Sequence, residues 1–342
     1  MKRYGNLFEK TFSMDNLYLA YFDARRGKRS RRACFEFEKH LGENIQTLHN
    51  TLHDGTYAID HYFQFTVYEP KLRVIHAPTF RDVVVQHAIY RVIYDIFDRS
   101  FINTSFACRI GYGTHKAAKH ARSVMQKCNG EDYVLKMDIR KYFYSINRTV
   151  MRRLISKKIK DKRLVDIMMM FADMETPRGI PIVNLLSQVY ALIYLNPLDH
   201  FIKRVLKVKH YVRYVDDFML FGLPRDECLL LRSAIVDFLH ARLGLELSKS
   251  TISKVRKGVN FCGYRTWRSR TFIRKYSLYK FRGLVKKGNQ AAINSLLGHA
   301  KNTNSLPYML KILKEEMLNG KNLQIPKGYR QVYYAPDCRT GL

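Results

Sequence analysis

Asp216 and Asp217, in Tyr214-Val215-Asp216-Asp217, are adjacent carboxylates between two β-forming flanks, Tyr211-Val212-Arg213-Tyr214 and Phe218-Met219-Leu220-Phe221. The pattern reads as a β-hairpin with the acids at its tip. Asp138 stands 78 residues upstream of Asp216, at the end of another apolar strand, Val134-Leu135-Lys136-Met137. Carboxylates gathered from separate strands are costly to bury unless a cation neutralises them. Oxygen donors of this kind suit Mg²⁺, which keeps other positions open for phosphates. Two such ions, about 4 Å apart, clamp the attacking and leaving oxygens of an in-line nucleotidyl transfer. A lone Asp-Asp more often only closes a turn, so the weight rests on the residues around it. Neighbours on a strand face opposite ways. Asp216 is therefore the expected ligand, Asp217 a weaker ligand or a supporting carboxylate, with Asp138 bridging the ions and the Ile139 carbonyl beside it.

The elements that must position these acids follow from periodicity. Residues 1–60 read as helical, with Arg25-Arg26-Gly27-Lys28-Arg29-Ser30-Arg31-Arg32 in an exposed loop. Residues 61–77 alternate as strands, and over 80–97 Val84, Ala88, Val92 and Ile96 fall on one helical stripe. Lys71 and Arg73 alternate along a strand, so both project from one face, where positive charge meets a leaving pyrophosphate. The planar fork of Arg73 can hold two phosphate oxygens. A helix entered after Pro181 carries Gln188 through Leu195, and a helical, basic stretch runs from Ser277 to Leu313. Length alone allows two domains, yet no Pro/Gly/Ser-rich spacer or repeat interrupts the chain. The expectation is one compact body without a linker.

Composition separates classes of partner. Lys and Arg number 60 against 29 Asp and Glu, a net charge of +31, while 46% hydrophobic residues suffice for a core. Such a surplus favours polyphosphate partners held through counterion release. A passive, ribosomal-type RNA binder has the same composition but no reason to place acids at strand ends. The six cysteines, at 34, 108, 128, 228, 262 and 338, lack zinc-site spacing, so reduced thiols are expected. No apolar run long enough to span a membrane and no leader-like segment is present, so neither membrane insertion nor secretion is expected.

From about Lys71 to Leu313 the chain resembles the reverse transcriptases. Lys136-Met137-Asp138-Ile139-Arg140-Lys141-Tyr142-Phe143-Tyr144-Ser145-Ile146 is similar to their first palm motif, Tyr214 to Asp217 to the Tyr-x-Asp-Asp box, and Phe261-Cys262-Gly263-Tyr264 to the primer grip. The resemblance implies an α+β fold, a right-hand polymerase with fingers, palm and thumb: an N-terminal extension and fingers over 1–133, a palm over 134–270 with finger elements about 148–178, and a thumb and tail over 271–342. It implies two Mg²⁺ ions, with Mn²⁺ as a substitute, and dNTPs as substrates. Phe143 then stands at the aromatic gate that excludes a 2′-hydroxyl, although core packing would equally explain a ring beside a strand. Lys249 matches a lysine that protonates pyrophosphate, and Gln188 joins Lys71, Arg73 and Phe143 around the nucleotide. Arg81, Gln86, Ile182 and Val183 fall near the template. Phe261, Gly263 and Tyr264 form the turn that positions the primer end.

Within that family, Gly179-Ile180-Pro181-Ile182-Val183-Asn184-Leu185-Leu186-Ser187-Gln188 is similar to the enzymes of diversity-generating retroelements, which carry Ser-Gln where retroviral and group II intron enzymes carry Ser-Pro. Val183 departs from that subgroup, which usually has Gly there. The implied partners are a dedicated noncoding template RNA, the cDNA and RNA–DNA duplex, and an accessory protein or further copies of the chain, in bacterial or phage-infected cytoplasm. Related antiphage-defence enzymes share the same core. Other readings are an inactive RNA-binding scaffold and a polymerase that extends DNA without a template. No RNase H, maturase or endonuclease module is evident, so RNA removal and mobility are expected to come from elsewhere.

Overall fold

The computed structural model describes residues 2–68, 72–182 and 184–329. Four helices open the chain as the sequence predicts: α1 (Leu7–Phe12), α2 (Met14–Arg25), α3 (Arg32–Lys39) and α4 (Leu41–Asp54). Ser13 starts α2 by accepting the Asn16 N–H, and Gly55 ends α4 in the left-handed conformation. The basic run lies mainly in the loop between α2 and α3. The expected strands form an antiparallel hairpin, β1 (Tyr62–Val67) with β2 (Arg73–Pro78), and α5 (Phe80–Asp98) follows. Val84 and Ala88 are buried as predicted, but Val92 and Ile96 are only half-buried. The fully inward row is Val85, Ile89, Ile93 and Phe97, because α1, α2 and α10 all pack on this helix.

Then come α6 (Thr114–Lys127), β3 (Tyr133–Ile139), α7 (Tyr142–Ser145), α8 (Arg148–Ser156), α9 (Lys162–Met170) and α10 (Leu185–His200). Asn147, Asp161 and Asn184 cap the last three through their side-chain oxygens. Beyond them lie β4 (His210–Tyr214), β5 (Asp217–Leu223), α11 (Arg225–Phe238), β6 (Leu247–Lys254), β7 (Val259–Phe261), β8 (Tyr264–Thr266) and β9 (Thr271–Ile273). The basic C-terminal stretch is three helices, α12 (Lys275–Lys286), α13 (Gln290–Ala300) and α14 (Leu306–Leu318).

The chain forms two compact units, and it crosses between them repeatedly rather than through one linker. The first comprises Met1–Ile110, Met137–Lys209 and Leu229–Ser250; the second comprises Gly111–Lys136, His210–Cys228 and Thr251 onward. In the second, a sheet runs in the order β4-β5-β3-β6, with β3 contributing as far as Lys136 and β6 from Thr251. A three-stranded sheet, β7-β8-β9, joins α12–α14 around Tyr264, Ile273, Phe281, Leu297 and Met309. Cys34, Cys108, Cys128, Cys228 and Cys262 are free thiols. Cys338 lies outside the described residues. Among the described residues, no helix is long and apolar enough to cross a membrane.

Candidate active site

The β4–β5 register pairs Tyr214 with Asp217, so Val215 and Asp216 alone make the turn. Two-residue hairpins require positive φ at the first turn position, usually met by Asn, Asp or Gly. Here Val215 takes it, at φ 56°. A left-handed β-branched residue costs about 1–3 kcal/mol and needs support from its surroundings. Arg213, fully buried, supplies some: its Nη1 donates to the Val215 carbonyl at 2.9 Å. Asp216 thus projects from the turn and Asp217 from the start of β5, both half-buried.

Asp217 has a cation beside it. Lys136 Nζ donates to Asp217 Oδ2 at 2.5 Å and to the Asn260 carbonyl at 2.7 Å, and lies 5.7 Å from the Phe261 ring centre. One ammonium therefore ties β3, β5 and β7 together. Lys136→Met should lower stability by about 1–3 kcal/mol, because it takes one ammonium away from a half-buried carboxylate and a carbonyl at once. Chemical denaturation of the purified variant checks this.

The β7–β8 turn holds the Phe261–Tyr264 segment. Cys262 and Gly263 form it at φ 49° and 86°, and a Cβ on Gly263 would come 3.0 Å from His299 Nε2. Phe261 and Tyr264 are buried rather than presented. The Tyr214 ring meets Phe261 edge-on at 6.4 Å. The Tyr264 hydroxyl donates to the His299 carbonyl and lies 3.0 Å from Nδ1 of both His115 and His299. Burial pushes the Tyr264 phenol up to about 12 and lowers His299 below the usual histidine range.

In the first unit, Asp138 is the penultimate residue of β3. The Ser248 hydroxyl donates to Asp138 Oδ2 at 2.5 Å, with the Asp138 carbonyl at 3.2 Å. Lys249 follows Ser248 on β6 and is exposed. The chain turns at Lys141, φ 43°, into α7, where Tyr142 is buried and donates to the Ala191 carbonyl at 2.6 Å. Phe143 is half-buried, 5.5 Å from the Tyr142 ring. The following loop is bonded to this segment by its backbone, Gly179 N–H to the Ile146 carbonyl at 2.8 Å and Ile180 N–H to the Phe143 carbonyl at 2.9 Å. Gly179 has φ 100°, and a Cβ there would sit 3.1 Å from Tyr144 backbone atoms. Only glycine fits.

Other predicted positions are dispersed. Gln188 is exposed on α10 and lines a cavity of about 230 Å³ with Tyr90, Arg109 and Leu185. Ile182 is buried. Arg73 is exposed opposite Val67 on the hairpin. Arg81 donates to the Ala58 carbonyl at 3.2 Å and stacks 4.8 Å over Tyr57, while Gln86 is buried on the inner face of α5. Lys71 and Val183 lie outside the described residues.

Ser248, Lys136 and Arg213 are the residues that sequence reasoning missed. Lys136 had a signal, since it alternates with Asp138 on one strand face. Ser248 and the buried Arg213 had none. Among the described residues no group of three or more His, Cys, Asp or Glu is arranged to hold a metal. The donors that the sequence singles out are oxygens alone, the set Mg²⁺ takes, and the Lys136 ammonium marks a position where Asp217 accepts a cation.

The model of the reverse transcriptase (RNA-dependent DNA polymerase) family matches residues 68–266, which include every element just described from β2 to β8. The chain belongs to the reverse transcriptase family. It is similar to the group II intron-encoded protein LtrA of Lactococcus lactis subsp. cremoris, with 24% identity over 321 residues that cover 72% of this chain and 52% of LtrA. It is also similar to protein YkfC of Escherichia coli, with 24% identity covering 59% of this chain and 65% of YkfC. This reverse transcriptase chain thus spans about half the length of LtrA. Among solved structures, telomerase from Candida albicans, in complex with a telomeric RNA fragment, superposes with a TM-score of 0.50 at 11% identity over 80% of this chain and 58% of its own. Apo telomerase from Candida tropicalis gives 0.51 at 12%, over 80% and 61%. These likenesses establish the α+β right-hand polymerase fold predicted from sequence.

Proposed function

We propose that the chain is an RNA-directed DNA polymerase that extends a primer with deoxynucleotides, using divalent ions held by Asp138, Asp216, Asp217 and the Ile139 carbonyl. The observation that carries this is the β4–β5 tip, where a two-residue turn carries Asp216 and the next residue, Asp217, meets a cation from β3. Mg²⁺, with Mn²⁺ as a substitute, would stabilise the charge developing on the transferred phosphoryl group and activate the attacking hydroxyl. Ser248 holds Asp138 in one rotamer and Arg213 holds the turn. Arg73 and Lys71 meet the triphosphate, Lys249 gives a proton to pyrophosphate, and Gln188 borders the nucleotide. Because Phe261 and Tyr264 are buried, the backbone at Cys262 and Gly263 meets the primer end. Arg81, Gln86, Ile182 and Val183 shape the template side, Arg81 and Gln86 by supporting the fingers from behind. In this reading the N-terminal extension and fingers take 1–133, the palm 134–270 with finger elements about 148–178, and the thumb and C-terminal tail 271–342.

The test is primer extension on a short RNA template with dNTPs across a Mg²⁺ series. Extension supports the reading; none by the folded wild-type chain overturns it. In the same assay Phe143→Ala is expected to admit ribonucleotides, since half-burial leaves the ring free to meet a sugar. A loss of about 3–5 kcal/mol with unchanged sugar discrimination would instead mark a packing role.

The Ser187-Gln188 pair favours a diversity-generating retroelement, with a dedicated noncoding RNA as template and an accessory protein or further copies as partners in the cytoplasm. The intron-encoded relatives and the defence enzymes define the competing outcomes. Errors concentrated at one template base in the cDNA support the retroelement; accurate copying or repetitive DNA rejects it.

A further inference from the structure

We infer that the first unit carries a second RNA site, at the C-terminal end of α10, that holds single-stranded RNA through its phosphates and its 2′-hydroxyls together. A cavity of about 490 Å³ opens there among the ends of α5, α8 and α10. Arg99, Lys157, Lys158 and Arg204 line it, and no Asp or Glu does. A neighbouring cavity of about 540 Å³ shares Leu154, Lys157 and Pro197 with it and adds Arg153 and Arg242, so the two make one basic strip. None of the residues assigned to nucleotidyl transfer lines either cavity. Gln188 precedes His200 by twelve residues on α10, about 18 Å along a helix.

Charge alone would suit any polyanion. Two buried acceptors narrow the ligand. Asn196 Nδ2 donates to the Ser100 hydroxyl at 3.5 Å, and His200 Nε2 lies 3.0 Å from the Ser100 carbonyl. A carbonyl only accepts, so Nε2 carries a proton, and Nδ1 is an acceptor whenever the ring carries that one proton alone. Asn196 Oδ1 and His200 Nδ1 are both buried with no hydrogen-bond partner, and both residues line the cavity. Unsatisfied buried acceptors call for a ligand that brings donors. The DNA backbone, deoxyribose joined by phosphodiesters, brings none, whereas RNA places a hydroxyl donor on each sugar between its phosphates. An acidic peptide could meet the cations, but its charges do not alternate with donors at a fixed repeat. The sugar–phosphate chain does.

The full chain is titrated with a short single-stranded RNA, the DNA of the same sequence, and the 2′-O-methyl RNA, each over a salt series. Lys157→Ala/Arg204→Ala is expected to weaken RNA binding at least about fivefold. It should also lower the slope of log affinity against log salt by about 1.4, near 0.7 for each single-strand phosphate left without its cation. Asn196→Leu should bring RNA affinity down towards that of DNA and leave DNA binding unchanged. For the wild type, 2′-O-methylation, which removes the donor, should do the same without any substitution. Extension of a primed template by both variants should stay within about twofold of wild type. A failed polymerase reading would show instead as no extension by the wild type. Unchanged RNA affinity and salt slope in the double variant overturn the site. Equal affinity of the wild type for RNA and its 2′-O-methyl form overturns the RNA assignment and leaves an unselective face for polyanions or acidic proteins.

Discussion

Asp216→Ala and Asp138→Ala are each expected to abolish DNA synthesis, with incorporation falling at least about a thousandfold while RNA binding stays within about twofold. A thousandfold corresponds to about 4 kcal/mol of transition-state stabilisation, a size typical of removing preorganised electrostatic support from developing charge. Neither substitution touches the basic surface proposed to hold RNA, so affinity and its salt dependence should persist. The two positions also differ in a checkable way. Asp138 is held by the Ser248 hydroxyl, so Ser248→Ala should lower incorporation modestly by freeing that carboxylate, whereas Asp216 gains its direction from the turn. Single-nucleotide incorporation with excess Mg²⁺ measures the rates, and retained synthesis by either Asp variant would remove that residue from the chemistry.

Gly179→Ala should be nearly as damaging, by a different route. A φ of 100° is strained for any L-residue, and the new Cβ would meet the Tyr144 Cα and carbonyl oxygen at 3.1 Å and the Phe143 carbonyl at 3.3 Å. Backbone atoms cannot swing aside as a side-chain end can. Either the loop lifts and loses its two hydrogen bonds to Phe143 and Ile146, or the Phe143 segment moves. The expected cost is about 2–4 kcal/mol, with changed discrimination between dNTPs and rNTPs because the ring goes with its backbone. Denaturation and the ratio of kcat/KM for the two sugars measure both effects, and a variant unchanged in both would disprove the coupling.

Much of this arrangement was legible because local rules determine it. Alternating β-formers around Asp216 and Asp217 marked the hairpin, one apolar stripe marked α5, and the helical, basic character after Ser277 marked the C-terminal helices. Motif order revealed the family. What stayed hidden depends on neighbours distant in sequence. Gln86 reads as a polar position near a template, yet α5 is buried on a broad face and takes it inside. Arg213 stands in a β-forming flank with nothing to mark it as buried, and its guanidinium bonds the carbonyl two residues on. Phe261 and Tyr264 look like contact residues and instead anchor a turn. The division into two units was equally invisible, since each is assembled from three separate stretches and no linker marks the crossings.

Three of the six non-glycine residues with positive φ among the described residues, Lys141, Val215 and Cys262, sit in the turns beside Asp138, Asp216 and Gly263. At Val215 this sets two selective pressures against each other. Asparagine or glycine would relax the turn and raise resistance to heat, yet a relaxed turn also lets the carboxylate wander. Val215→Asn is therefore expected to melt at a higher temperature and to turn over more slowly, heat resistance and aim moving in opposite directions at one residue.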